Sequence, residues 1–132
     1  MKNLLSLILL VACCSFLAST TASAQDLVIN YTNCDFKVKV SYGPTGSCTS
    51  TGTIVANVPA NTSINLGLPA GTQIIAAKGA YDNGGGSLAC PFYVGQAACT
   101  SYPQLTTVSC STNCGDYIVS FDETIGFKIA EL

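Results

Sequence analysis

A chain of 132 residues with five lysines, no arginine, no histidine and seven acids carries a formal charge of −2. It lacks the basic excess that binds phosphate backbones or anionic membrane surfaces, so nucleic acid and polybasic membrane attachment are poor matches. Without histidine it has no Ser-His-Asp or Cys-His device, and without arginine it lacks a common oxyanion and phosphate clamp.

The N-terminus reads as an export signal. Met1-Lys2-Asn3 supplies one positive charge, and Leu4 to Leu17 is apolar apart from Ser6 and Ser15. Ala22-Ser23-Ala24 then forms a small-residue cleavage pattern ahead of Gln25. A spanning helix needs ~20 apolar residues, and this run is shorter. Residues 1–24 are therefore expected to be a cleaved secretory signal peptide, and residues 25–132 a single domain. Leu10-Val11-Ala12-Cys13 offers an alternative, a lipoprotein-type start with the lipid on Cys13. Phe16 and Leu17 continue the apolar run past that cysteine and count against it. Either route places the protein outside the cell or on its surface.

Beyond the leader the chain alternates as strands do. Leu27, Ile29 and Tyr31 share a face, and Phe36, Val38, Val40 and Tyr42 alternate with Lys37, Lys39 and Ser41. Strand-like runs follow at Thr53–Val58, Ser63–Leu68, Thr72–Lys78, Leu88–Val94 and Gln104–Cys110. Tyr117, Val119 and Phe121 share a further face, as do Phe127 and Ile129. Turn signals separate them: Gly43-Pro44-Thr45-Gly46, Pro59-Ala60-Asn61, Pro69-Ala70-Gly71 and Asp82-Asn83-Gly84-Gly85-Gly86. Their spacing predicts an all-β, antiparallel sandwich of about eight or nine short strands with Greek-key-like connections.

Six cysteines follow the leader: Cys34, Cys48, Cys90, Cys99, Cys110 and Cys114. An even set in an exported domain reads as a disulfide framework. Reading Leu88–Val94 and Gln96–Tyr102 as a hairpin sets Cys90 opposite Cys99, and Cys110 and Cys114 flank a short turn. The expected pairs are Cys34–Cys48, Cys90–Cys99 and Cys110–Cys114, with a bond from Cys34 to Cys110 or Cys114 as the main alternative. Cys110-x-x-x-Cys114 has zinc-like spacing, but without histidine the other ligands would be distant cysteines. No metal and no cofactor are expected.

Catalysis finds little support. Asp122 and Glu123 are adjacent on a strand end and point to opposite faces, while Asp82 and Asp116 have no sequence reason to meet. The segment Tyr81-Asp82-Asn83-Gly84-Gly85-Gly86-Ser87 is a better prospect for binding. Its glycines let a ligand approach the backbone, and Tyr81, Asp82 and Asn83 offer a ring, oxygens and an amide. If that loop only connects strands, the segment bearing Tyr93 and Tyr102 is the next place to look. Asn30-Tyr31-Thr32 and Asn61-Thr62-Ser63 match the glycosylation sequon. The expected function is a small secreted, non-catalytic module that binds an extracellular glycan or protein. A secreted inhibitor or toxin-like effector and a minimal carboxylate hydrolase are the alternatives.

Overall fold

The computed structural model describes residues 26–132; the expected signal peptide and the lipidation site at Cys13 lie outside the described residues. The alternation along the chain produces nine strands. They are β1 (Leu27–Asn30), β2 (Phe36–Pro44), β3 (Gly52–Val58), β4 (Ser63–Asn65), β5 (Thr72–Asp82), β6 (Leu88–Gly95), β7 (Leu105–Val108), β8 (Tyr117–Asp122) and β9 (Gly126–Glu131). They form a five-stranded sheet ordered β4-β1-β9-β8-β7 and a four-stranded sheet ordered β3-β2-β5-β6. The two pack face to face as a β-sandwich.

Neighbouring strands run antiparallel except β1 and β9, which pair in parallel with Leu27 opposite Gly126 and Asn30 opposite Ile129. A parallel pair needs a long crossover, and here the whole intervening chain supplies it. Along the former Ser63–Leu68 run only Ser63–Asn65 pairs as a strand, although Leu66 and Leu68 still pack on the core.

The core is built from the inward positions of both sheets. Phe36, Val38 and Val40 of β2 meet Tyr117 and Val119 of β8 and Phe127 and Ile129 of β9. Each such fully buried side chain contributes roughly 1.5–3 kcal/mol from leaving water. The rings of Phe36 and Tyr117 lie edge to face at 5.0 Å, and Phe92 lies 6.3 Å from Phe36 and 6.4 Å from Tyr117. Gly79 makes room for this cluster. A Cβ there would fall 2.6 Å from the Phe92 ring and 2.9 Å from Val38, so no larger residue fits without moving them. Burial raises the Tyr117 hydroxyl well above the ordinary tyrosine value, and that hydroxyl donates to the Cys90 carbonyl, tying β8 to β6.

All six cysteines are bonded, but the expected pairing is corrected. The bonds are Cys34–Cys114, Cys48–Cys99 and Cys90–Cys110, spanning 80, 51 and 20 residues. The alternative that tied Cys34 to Cys114 is the one realised. Sequence neighbours fail to pair because strand direction decides which loops meet. Cys34 in the β1–β2 crossing and Cys114 in the β7–β8 loop reach the same end of the sandwich. Cys90 at the start of β6 and Cys110 just after β7 join the edge strands of the two sheets there. Cys48 in the β2–β3 loop and Cys99 in the β6–β7 loop close the opposite end.

The expected Leu88–Val94/Gln96–Tyr102 hairpin does not form. After Gly95 the chain turns tightly, with the Cys99 and Thr100 amides donating to the Gln96 carbonyl at 3.0 Å. It then crosses to the other sheet as β7. Pro103, directly after Tyr102, has no amide to give to a ladder, which disfavours a strand running on through it.

Candidate functional site

The β5–β6 hairpin carries the loop singled out in the sequence. Tyr81 sits at the end of β5 opposite Phe36 and Ala89. Its ring packs edge-on to Phe36 at 6.4 Å and lies half-buried against the core. The Asp82 carboxylate accepts from the Gly84 amide at 3.0 Å, and the Asn83 side-chain oxygen accepts from the Gly85 amide at 3.1 Å. Both side chains fold back on their own backbone, which is the asparagine and aspartate habit in turns. The structure therefore brings Tyr81, Asp82 and Asn83 together in one hairpin. The ring packs on the core, and one oxygen of each of the other two side chains is held by the turn.

The same occupation runs through the other acids. Asp26 accepts from the Asn65 side-chain amide at 2.9 Å, and Asp35 from the Ala60 backbone at 2.8 Å. Asp116 accepts from the Cys110 amide at 2.8 Å, holding the β7–β8 loop closed. Glu123 accepts from Gln104 at 3.3 Å, and Glu131 from the Asn33 backbone and side-chain amides at 3.0 Å each. Asp122 accepts from the Thr124 hydroxyl at 2.6 Å and the Thr124 amide at 2.8 Å. Those bonds, the hydroxyl's first, hold its carboxyl below the ordinary value, and Lys128 adds a smaller attraction. All seven acids thus act as caps and loop ties. Among the described residues no group of three or more Cys, His, Asp or Glu side chains is placed to hold a metal ion.

A buried polar cluster accounts for one of the sequon matches. Asn30 is 1 % exposed and Thr32 is fully buried. The Asn30 amide donates to the carbonyls of Cys34 at 2.7 Å, Pro59 at 2.9 Å and Val58 at 3.3 Å. Its oxygen accepts from the Thr32 amide at 3.0 Å and hydroxyl at 2.8 Å. These residues satisfy the crossing from β1 to β2. Asn61, in the second match, is exposed.

A pair of exposed aromatic rings lies elsewhere. Tyr93 on β6 and Tyr102 in the β6–β7 crossing are 44 % and 38 % exposed, and their rings lie 5.4 Å apart, tilted by 42°. On one side of this pair opens a cleft of about 680 Å³, lined by Pro91, Phe92, Pro103, Thr106, Val108 and Ser109 along with both tyrosines. On the other side lies the outer face of the β3-β2-β5-β6 sheet, where hollows of about 340 and 210 Å³ reach Tyr93 and Tyr102 in turn. The pair is therefore a ridge between two concave surfaces.

The two tyrosines do not share the expected hairpin; the chain crossing from β6 to β7 brings them together. The one available signal was two tyrosines, nine residues apart, flanking a Gly-Gln turn. No protein-family model, curated protein or solved structure matches this chain.

Proposed function

We propose that this protein is a secreted, non-catalytic binding module that holds a glycan against the Tyr93–Tyr102 ridge. The observation that carries this reading is the exposed ring pair between two concave surfaces. Flat tyrosine faces suit the apolar faces of sugar rings, and the neighbouring Thr106, Thr107 and Ser109 hydroxyls suit their oxygens. Binding sites favour such rigidly mounted, concave positions. Among the described residues no Asp or Glu lines the hollows beside the ridge, which favours binding over turnover there. The disulfide framework fits an oxidising, extracellular setting.

A glycan-array screen of the oxidised protein tests the reading. Tyr93→Ala and Tyr102→Ala are expected to abolish whatever signal the wild type gives, while Tyr81→Ala and Asp82→Ala retain it. Loss on changing the hairpin residues, with the ridge variants unaffected, would move the site back to the β5–β6 loop. Turnover of a polysaccharide that disappears in Asp82→Asn or Asp116→Asn would replace the reading with a carboxylate hydrolase.

A further inference from the structure

Four of the five lysines lie in the described residues, and three of them project from one surface. Lys37 and Lys39 alternate with buried Phe36, Val38 and Val40, so both point outward from β2. Two residues along a strand separate them by ~7 Å. Lys39 is the direct cross-strand partner of Lys78 on β5. Directly opposed strand residues have Cα atoms about 4.5–5.5 Å apart, and like charges in that position are destabilising. The register continues outward, with Val55 beside Lys39 on β3 and Tyr93 beside Lys78 on β6. The row Val55–Lys39–Lys78–Tyr93 thus crosses all four strands, ~14 Å at ordinary strand spacing.

Nothing in the fold requires this arrangement. The hydrogen bonds accepted by the seven acids come from backbone amides and from Asn, Gln and Thr side chains, none from these lysines. Lys128, on the opposite sheet, sits beside Ser120 and Ile29 and within electrostatic reach of Asp122. A protein of net negative charge has gathered three of its cations on one sheet face and placed two of them directly opposite each other. Locally unfavourable choices of this kind are expected where a ligand supplies the missing partner.

We propose that the outer face of the β3-β2-β5-β6 sheet binds an anionic polysaccharide, with Lys37, Lys39 and Lys78 meeting its acidic groups and Tyr93 packing on a neighbouring sugar ring. This deepens the glycan-binding reading and rests on it. Lys39 and Lys78 line both hollows on this face. The larger also takes in Lys37, Val55, Leu88 and Tyr93, and the smaller takes in Ser41, Thr53 and Tyr102. The three lysines cluster at the centre of the surface, and the rings of Tyr93 and Tyr102 border them. Flexible lysine ammonium groups act as point charges and accept carboxylate or sulfate alike.

Affinity electrophoresis of the oxidised protein through gels containing polygalacturonate, dextran sulfate or neutral dextran tests the assignment. Retardation is expected in one or both anionic gels and not in neutral dextran, and the choice between the two names carboxylate or sulfate as the acidic group. It should weaken as salt rises from about 0.05 M to about 0.5 M. Lys39→Gln/Lys78→Gln is expected to weaken binding at least about tenfold, and Tyr93→Ala by a similar factor. Lys128→Gln should bind as wild type. Circular dichroism melting checks that the variants remain folded. Equal retardation by neutral dextran with no loss in the lysine variant overturns the charge assignment and leaves the glycan-binding reading standing. Retardation in none of the gels, or binding only to phosphatidylserine vesicles or single-stranded DNA, overturns both.

Discussion

The end of the sandwich that holds Cys34–Cys114 and Cys90–Cys110 and the outer face of the β3-β2-β5-β6 sheet treat polar groups in opposite ways. At the tied end the polar side chains of Asn30, Thr32, Asp82, Asn83 and Asp116 all bond to protein partners. Asn30 and Thr32 satisfy buried carbonyls and each other, Asp116 closes its loop, and Asp82 and Asn83 cap their hairpin. On the outer face Lys39 stands directly against Lys78, and Tyr93 and Tyr102 expose their rings. The first arrangement lowers the energy of the folded chain. The second raises it slightly, which is the mark of a surface arranged for something other than folding. Richness in polar and aromatic residues, as in the β5–β6 loop, is therefore a poorer guide to a site than whether those groups are already used.

Substitutions at the tied end are expected to cost the most. Replacing Cys34 and Cys114 together by Ala releases a loop of 80 residues, and chain entropy assigns that a loss of about 4 kcal/mol. Urea unfolding should show it as a large drop in midpoint. A loss under about 1 kcal/mol would mean that the non-covalent contacts alone hold this end.

Asn30→Ala comes next. It removes the donor to three carbonyls and the acceptor of Thr32 inside the fold, and a cost of about 3 kcal/mol is expected. The same unfolding experiment checks it, and Asn61→Ala, at an exposed turn, serves as the comparison. Equal effects at the two positions would deny the buried cluster its structural role.

Tyr81→Ala should behave as a core substitution. The ring is half-buried against Phe36, so a stability loss of about 2 kcal/mol is expected, below the value for a fully buried aromatic. Tyr93→Ala, by contrast, should lose binding with little change in stability. Interchanged results would reverse the comparison on which the ridge assignment stands.

The smallest effect has the opposite sign. Lys39→Thr removes a like-charge opposition on an exposed strand and supplies a better strand former, so stability should rise by about 0.5 kcal/mol. The gain should shrink in high salt, where exposed charges are screened. A loss of stability instead would show that Lys39 is there for the fold.

How far the sequence alone reaches can be seen strand by strand. Phe36–Tyr42 declares its period, its buried face and its wet face, and the structure follows it through Val40, after which Ser41 and Tyr42 are both half-buried where the register against β5 shifts. Turn residues mark the breaks at Pro44, Pro59 and Pro69 because glycine, proline and asparagine have local backbone reasons to sit there. The even cysteine count foretells that all six are bonded. These features are local, so a linear pattern records them. Disulfide pairing, the parallel β1–β9 contact and the meeting of Tyr93 with Tyr102 depend on which strand ends share an end of the sandwich, and crossings between sheets decide that. The lysine face shows the division most plainly. Lys37-x-Lys39 puts two cations on one side of a strand by period alone, but only the pairing of β2 with β5 sets Lys78 against them. Side-chain periodicity is a property of a single strand, whereas a binding surface is a property of the register between strands.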